Sequence, residues 1–472
     1  MALCLIALPS EGQFHFHGTF RLKNHELHKA LDGFAKLENL KGASWGLAIR
    51  NLKDGTLLVE KSANENFIPA SNMKLLTSLN AFHNLGEKYT FKTRVFTDGQ
   101  IDQGILNGNL LIEGNGDPSI ATDGRDKLKS AFFTRLIESL KKQGIQSVKG
   151  EIRSIKSENP YQGIRKDWTW SDIGNYYGAG IFPLNINENQ FHTYIDANRE
   201  GTPAKVRRRD SLAGNIDLSE IDLETSSAGS PDMAYYYWVP GTNKIRLEGS
   251  VPQENESQRI KGSLQDPETV FIQVLKNELE KAGIQVMGEA VKGNGKLPLT
   301  SLESPTLSSI AAEVNLNSNN LMTEALAYAM CGKGDRCLEN GWTHLERFAK
   351  LTDFPPGYYM ADGSGLSLSN RISPAGLSNS LVWAMKQEWK DAFLSTLPIA
   401  GISGTMKNFC KGATGKIQAK SGTLTRTLCY SGYAETGHGK VAFSLMVNNY
   451  HGAYKEMKEQ VGKLLESFTR IH

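Results

Sequence analysis

Long apolar runs are missing from this sequence. No stretch approaches the ~18 consecutive apolar residues that a membrane-spanning helix requires, so we expect no transmembrane span. The formal net charge is only +3 at pH 7, whereas a nucleic-acid-binding protein usually concentrates far more basic charge on one face. We therefore expect no nucleic-acid partner. A small positive excess still permits weak attraction to an acidic polymer or a membrane surface.

Cysteine is also scarce, with five residues in a chain of 472. No two cysteines have the C-x-x-C spacing of a metal site, and the glycine-rich stretches follow neither the Rossmann nor the P-loop pattern. We therefore expect no metal and no cofactor. Cys331 and Cys337 flank a short loop, and a disulfide between them would suit an oxidising compartment. For Cys410 and Cys429, two buried free thiols are an equally good interpretation.

The first ten residues, MALCLIALPS, are apolar but lack the basic residues with which an export signal opens. We interpret them as the remainder of a clipped signal and assign residues 1–19 to this remnant or tail. An apolar tail on a cytosolic chain is the alternative.

Hydrophobic patterns divide the chain into three parts, and its length suggests about two to four domains. Strand patterns precede a helix near the N-terminus, short strand-like runs dominate from about residue 92 to 302, and helical patterns return from residue 307. The predicted strands are 45–50, 56–60, 105–113, 148–152, 204–206, 244–249, 427–434 and 440–449. The predicted helices are 72–82, 131–143, 269–282, 307–314, 319–331, 338–351, 374–386 and 455–471. Strands at both chain ends predict an α/β domain built from both termini, with an inserted middle third.

Ser71 and Lys74 are the first candidate catalytic pair. Serine is a weak nucleophile that needs an adjacent base, and residues at i and i+3 share one face of a helix. The pattern S-x-x-K is weakly specific, because 139–142 (SLKK) also matches it at what we interpret as a solvent-facing helix end. Ser71 differs in its context, since it follows a loop containing Pro69 and stands where a helix N-cap would be.

Two further triplets follow Ser71 in the chain. Ser318-Asn319-Asn320 opens a predicted helix, where a hydroxyl and an amide can relay a proton and hold a carbonyl; a helix-capping serine is the alternative. Lys420-Ser421-Gly422-Thr423 offers a cation and a hydroxyl for a carboxylate, with a basic turn as the alternative. The order S-x-x-K, S-x-N, K-[ST]-G is the signature of serine penicillin-recognising enzymes.

More of the chain, from about residue 43 to 466, resembles one branch of these enzymes: the D-alanyl-D-alanine carboxypeptidases/endopeptidases of peptidase family S13, the penicillin-binding protein 4 type. The segments that carry the resemblance are 69–74 (PASNMK), 114–118 (GNGDP), 168–172 (WTWSD), 176–180 (YYGAG), 184–187 (LNIN), 362–367 (DGSGLS), 397–401 (LPIAG) and 420–423 (KSGT).

The resemblance implies a multidomain α/β protein with a serine β-lactamase/transpeptidase-like α/β sandwich domain. Residues 20–92 and 304–472 would form this catalytic domain, and residues 93–303 would form an insertion of two small β-rich modules. It also implies a periplasmic enzyme that acts on peptidoglycan stem peptides, with β-lactam antibiotics as covalent inhibitors. Cleavage of D-Ala-D-Ala, of D-Ala-diamino acid cross-links, or of both, is open at this point. A non-hydrolytic penicillin-binding sensor or scaffold of the cell wall is the alternative from another class.

The resemblance also implies roles for single residues. Ser71 would attack the carbonyl between two D-alanines, Lys74 would accept its proton, and Ser318 and Asn320 would assist proton transfer and hold the peptide. The substrate carboxylate would face Lys420 and the segment Ser421, Gly422 and Thr423.

Several positions depart from the family pattern. Asn319 stands where an aspartate is common, and we expect little loss of activity from this change. Asp172 and Tyr177 match positions that help to bind the third stem-peptide residue in some members, but Leu368 and Thr425 replace an arginine and a glutamine of that subsite. The preferred third residue is therefore open.

Overall fold

A computed structural model describes residues 14–16, 24–122, 131–155, 163–239, 242–254, 256–331, 343–437 and 439–471. Its strands, in chain order, are β1 (His15–Phe16), β2 (Ser44–Asn51), β3 (Leu57–Lys61), β4 (Lys92–Thr97), β5 (Gln100–Asp102), β6 (Ile105–Asn107), β7 (Leu110–Glu113), β8 (Ser147–Val148), β9 (Ile152–Ser154), β10 (Gln190–Asp196), β11 (Lys205–Arg209), β12 (Asp217–Ser226), β13 (Tyr235–Trp238), β14 (Lys244–Pro252), β15 (Gln258–Ser263), β16 (Gln285–Val286), β17 (Leu297–Glu303), β18 (Ile417–Leu424), β19 (Thr427–Thr436) and β20 (Gly439–Asn448).

The α-helices are α1 (His25–Ala35), α2 (Met73–Leu85), α3 (Ala131–Lys142), α4 (Trp170–Ile173), α5 (Pro267–Lys281), α6 (Leu307–Leu316), α7 (Asn320–Ala329), α8 (Thr343–Leu351), α9 (Pro374–Ala384), α10 (Lys390–Ser395) and α11 (Tyr454–Phe468). No helix among these described residues is long and apolar enough to cross a membrane.

The chain divides into two compact units. The first comprises residues 1–87, 311–318 and 339–472, and the second comprises residues 88–310 and 319–338. The domain boundaries expected from the sequence stay a prediction.

A six-stranded antiparallel sheet with the order β1-β3-β2-β20-β19-β18 organises the first unit. Successive side chains of a strand point to opposite faces, and β2 shows what covers each face. Leu47 and Ile49 join the core formed with α1 and α11, whereas Ala48 packs against Ala375 of α9 on the other face. Helices therefore cover both faces, and the interior strands β19 and β20 are almost entirely buried.

The second unit contains several smaller sheets around its own apolar core. The strand orders are β11-β10-β15, β12-β14-β13, β16-β8-β6-β5 and β17-β4-β7-β9. The prediction of one strand over residues 105–113 was wrong, because β6 and β7 lie in different sheets. The backbone changes sheet at Gly108, where a Cβ atom would lie 2.5 Å from the Gly99 nitrogen, and the next residue, Asn109, donates its backbone N–H to Asp98 at 2.6 Å.

Candidate active site

Ser71 lies in a 3₁₀ turn, Ala70–Asn72, that leads directly into α2. The prediction that Ser71 caps this helix was wrong. Asn72 precedes Met73 with helical dihedral angles, φ −67° and ψ −18°, and no side chain caps the helix. The turn and the helix are thus continuous, and the Ser71 hydroxyl is directed to another partner.

That partner is Lys74, one helical turn further on. Its side chain is fully buried, and its Nζ atom lies 3.0 Å from Ser71 Oγ. Nζ also donates to the backbone carbonyl of Ser364 at 2.6 Å. An amine held at this distance can take the hydroxyl proton when it is neutral.

The loop that holds Lys74 is the segment 362–367 noted in the sequence. The Asp362 carboxylate accepts hydrogen bonds from the backbone N–H groups of Gly365 and Ser367, both at 2.6 Å. Gly365 has φ +82°, and a Cβ atom there would lie 1.9 Å from the Ala70 carbonyl oxygen. Glycine is therefore required where this loop approaches the turn that carries Ser71.

Ser318 lies just before α7 with a left-handed φ of +58°. Asn319, not Ser318, caps the helix, since its side-chain oxygen accepts from the Met322 N–H at 2.9 Å. The Ser318 hydroxyl instead accepts a hydrogen bond from Lys420 Nζ at 2.9 Å. Lys420 Nζ also donates to the Ser421 carbonyl at 2.8 Å.

Lys420 is fully buried in β18. Burial, and secondly the positive charge of Lys74, hold the pKa of the Lys420 amine well below its usual value of 10.5. An amine in this state exchanges a proton more readily than an ordinary lysine at neutral pH.

Gly422 lies where β18 passes closest to the turn of Ser71. A Cβ atom at Gly422 would be 2.7 Å from the Pro69 carbonyl oxygen and 3.0 Å from the Ser71 nitrogen. The glycine therefore allows the edge strand to approach the backbone of Ser71 closely.

A cavity of about 360 Å³ opens beside these groups in the first unit. Its lining residues are Ser71, Ser318, Thr405, Ser421, Thr423, Tyr430, Tyr454 and Lys458. The sequence analysis missed Thr405, Tyr430, Tyr454 and Lys458 as site residues, because they belong to no short motif. Helical periodicity placed Lys458 on the C-terminal helix but did not indicate what it faces.

Asn320, Asp172 and Tyr177 belong to the second unit. Asn320 donates its side-chain N–H to the Tyr177 carbonyl at 2.7 Å, and the Asp172 carboxylate accepts from Thr169 Oγ1 at 2.6 Å. Burial, followed by the Asp172 charge, raises the pKa of the Tyr177 phenol.

Ser139 and Lys142, which form the other S-x-x-K pattern, also lie in the second unit. Ser139 lies in α3, where its backbone carbonyl accepts from Gln143, and Lys142 is exposed at the end of that helix. This agrees with the interpretation of an ordinary helix end.

The cysteines fall into two groups. Cys410 and Cys429 are buried free thiols, which settles the alternatives left open for them. Cys331 is disulfide-bonded, while its expected partner, Cys337, lies outside the described residues.

The chain has the fold of penicillin binding protein 4 from Haemophilus influenzae, with a TM-score of 0.73 at 22% identity, over 94% of this chain and 97% of that chain. The predicted fold class, an α/β multidomain protein with a transpeptidase-like sandwich domain, is confirmed.

A sequence model of the D-Ala-D-Ala carboxypeptidase 3 (S13) family matches residues 27–468, and the chain belongs to this family. The predicted enzyme class, a serine-type D-Ala-D-Ala carboxypeptidase, is thereby confirmed. A D-alanyl-D-alanine carboxypeptidase of Actinomadura sp. (strain R39) is 26% identical over 90% of this chain and 82% of its own length. A penicillin-sensitive carboxypeptidase A of Dictyostelium discoideum is 28% identical over 91% of this chain and 88% of its own length.

Proposed function

We propose that Ser71 is the nucleophile and Lys74 the base of a D,D-peptidase reaction on peptidoglycan stem peptides. The observation that carries this proposal is the 3.0 Å distance between Lys74 Nζ and Ser71 Oγ at a fully buried lysine. Ser71 Oγ attacks the carbonyl carbon of the penultimate D-alanine while Lys74 takes the hydroxyl proton. The C–N bond then breaks, the proton passes to the leaving amine, and water hydrolyses the resulting ester.

Ser318 and Lys420 form the second part of the proposed machinery. Their 2.9 Å contact supports a role in moving the proton from Lys74 to the leaving amine. The backbone N–H groups of Ser71 and Thr423 would stabilise the oxyanion, and the close approach permitted by Gly422 supports this assignment. Asn320 would hold the peptide backbone.

The proposed substrates extend to cross-linked peptides. Cleavage of D-Ala-diamino acid cross-links uses the same acyl group with a larger leaving amine. Asp172 and Tyr177 would contact the third stem-peptide residue. β-Lactams would acylate Ser71 covalently, which is supported by the name of the penicillin-sensitive relative.

The setting that fits these substrates is the periplasm. The small positive net charge of +3 would favour weak association with an acidic cell wall or membrane surface. Residues 20–92 and 304–472 would form the catalytic domain, and 93–303 the insertion. Export is tested by fractionating cells that produce the full-length chain.

The nucleophile is tested by incubating the protein with benzylpenicillin and measuring intact mass. We expect one penicilloyl adduct that maps to the peptide containing Ser71, absent in Ser71→Ala and retained in the matched control Ser139→Ala. An adduct elsewhere, or none on a folded sample, would refute the assignment.

Turnover is tested separately with a stem pentapeptide and with purified cross-linked muropeptides. Release of D-alanine from the pentapeptide shows carboxypeptidase action, and shortening of the cross-linked species shows endopeptidase action. An adduct without either product would favour the sensor instead.

A further inference from the structure

The cavity beside Ser71 is lined mainly by uncharged groups. Thr405 Oγ1 and Ser421 Oγ are hydrogen-bonded at 2.9 Å, and Thr423 is exposed in the same cavity. Lys458 of α11 supplies the cationic side chain among the described residues that line this cavity.

Two aromatic rings lie near the Lys458 ammonium group. Its Nζ atom lies 5.5 Å from the centre of the Phe409 ring and 5.6 Å from that of Tyr454, distances at which a ring face attracts a cation. Phe409 in turn stacks on Tyr430, with ring centres 4.7 Å apart and planes at 18°. Tyr430 is paired with Ser421 in the sheet. The ring stack therefore links the ammonium group to the strand that carries Ser421 and Thr423.

Lys458 forms no ion pair with an acidic side chain among the described residues. The neighbouring carboxylate, Glu459, pairs with Lys463 at 2.9 Å instead. A cation without an acidic partner in the lining of a small polar cavity attracts anionic groups.

Lys420 is poorly suited to binding an anionic group of a ligand. It is fully buried, and its Nζ atom already donates to Ser318 Oγ and to the Ser421 carbonyl. Its lowered pKa also reduces the positive charge that it carries. A partly exposed cation that is not already hydrogen-bonded in this way is better placed to bind an anionic ligand.

We infer that Lys458 binds the free carboxylate at the C-terminal end of the substrate, with the hydroxyl groups of Thr405, Ser421 and Thr423 as neutral donors. This inference rests on the proposed function, in which a peptide ending in a carboxylate occupies the cavity. Lys458 is a specificity residue that binds the carboxylate equally in the ground state and the transition state, and it takes no part in the proton transfers.

The test is the steady-state kinetics of D-alanine release from a stem pentapeptide with the full chain. Lys458→Ala should raise KM about five- to tenfold, which lies between the loss expected for an exposed ion pair and the loss expected for a charge-assisted hydrogen bond. The kcat of the variant should stay within about twofold of the wild-type kcat. Lys458→Arg should restore most of the affinity, because it keeps the charge. Added salt should narrow the difference between wild type and Lys458→Ala, because ions screen a charge that solvent can reach.

Lys455→Ala is the matched control, since it removes one exposed positive charge from the same helix outside the cavity lining. Its KM should equal that of the wild type. A KM for Lys458→Ala within twofold of the wild type, or an equal rise in Lys455→Ala, would overturn the inference while the D,D-peptidase assignment stands. Absence of both D-alanine release and a Ser71 adduct in the wild type would overturn the proposed function itself.

Discussion

Lys420 Nζ lies 2.9 Å from Ser318 Oγ, which joins the edge strand β18 to the segment that precedes α7. The two residues are 102 positions apart in the chain. The bond is made by a fully buried amine whose pKa is lowered by burial and by Lys74. Stability and reactivity are therefore both expected to depend on this one side chain.

Lys420→Met should make the pH dependence of stability flatter. Because the pKa is lowered in the folded state, folded Lys420 binds fewer protons than unfolded Lys420. The free energy of unfolding of the wild type therefore rises with pH between the lowered pKa and 10.5. The stability of the wild type relative to Lys420→Met should accordingly increase with pH, as measured by chemical denaturation at a series of pH values. The variant should also lose about 10²–10³ in acylation rate. A stability difference that is constant with pH would contradict the buried, lowered-pKa amine.

Gly422→Ala should slow acylation of Ser71 by about 10²-fold. A displacement of about 1 Å at a reacting group lowers the rate by about this factor. The added Cβ would meet the Pro69 oxygen at 2.7 Å and the Asn72 nitrogen at 2.9 Å, both of which are backbone atoms that cannot rotate away. The rate is measured with benzylpenicillin. The matched control is Gly33→Ala in α1, where no atom lies within 4 Å of the new Cβ; it should keep the rate and gain about 0.5–1 kcal/mol of stability. Equal rates in both variants would show that β18 does not constrain Ser71.

Asn319→Asp should destabilise the protein by about 1–2 kcal/mol. The Asn319 amide donates to the Glu188 carboxylate at 2.6 Å, and an aspartate at position 319 would place a second carboxylate there. Adding Glu188→Gln should recover most of the loss, because the glutamine amide can donate to the carboxylate introduced at position 319. Chemical denaturation of the two single variants and the double variant measures the coupling. Additive effects would show that the contact contributes nothing to stability.

Cys410 and Cys429 should resist alkylation in the native protein. Burial is the main cause that raises the pKa of each thiol to about 12, so almost no thiolate is present at mildly alkaline pH. Iodoacetamide followed by peptide mass mapping should label neither residue until denaturant is added. Rapid native labelling of either thiol would contradict its burial.

Local patterns in the sequence predicted much of the fold and the nearest part of the site. Alternating and helical hydrophobic spacing located β19, β20 and α11 within a few residues. The two units each contain an apolar core of their own, but the exchange of sheets between β6 and β7 depends on close backbone contact at Gly108, which has no signature in hydrophobicity.

The spacing of Ser71 and Lys74 already predicts that their side chains are neighbours, because residues three apart near a helix start share a face. Three features arise only in the folded chain: Lys420 is buried against Ser318, Lys74 donates a hydrogen bond to the Ser364 carbonyl, and Lys458 lines the cavity. Each of these depends on the pairing of distant segments around one sheet. Burial and charge, which set the pKa of Lys420, exist only after that packing is complete.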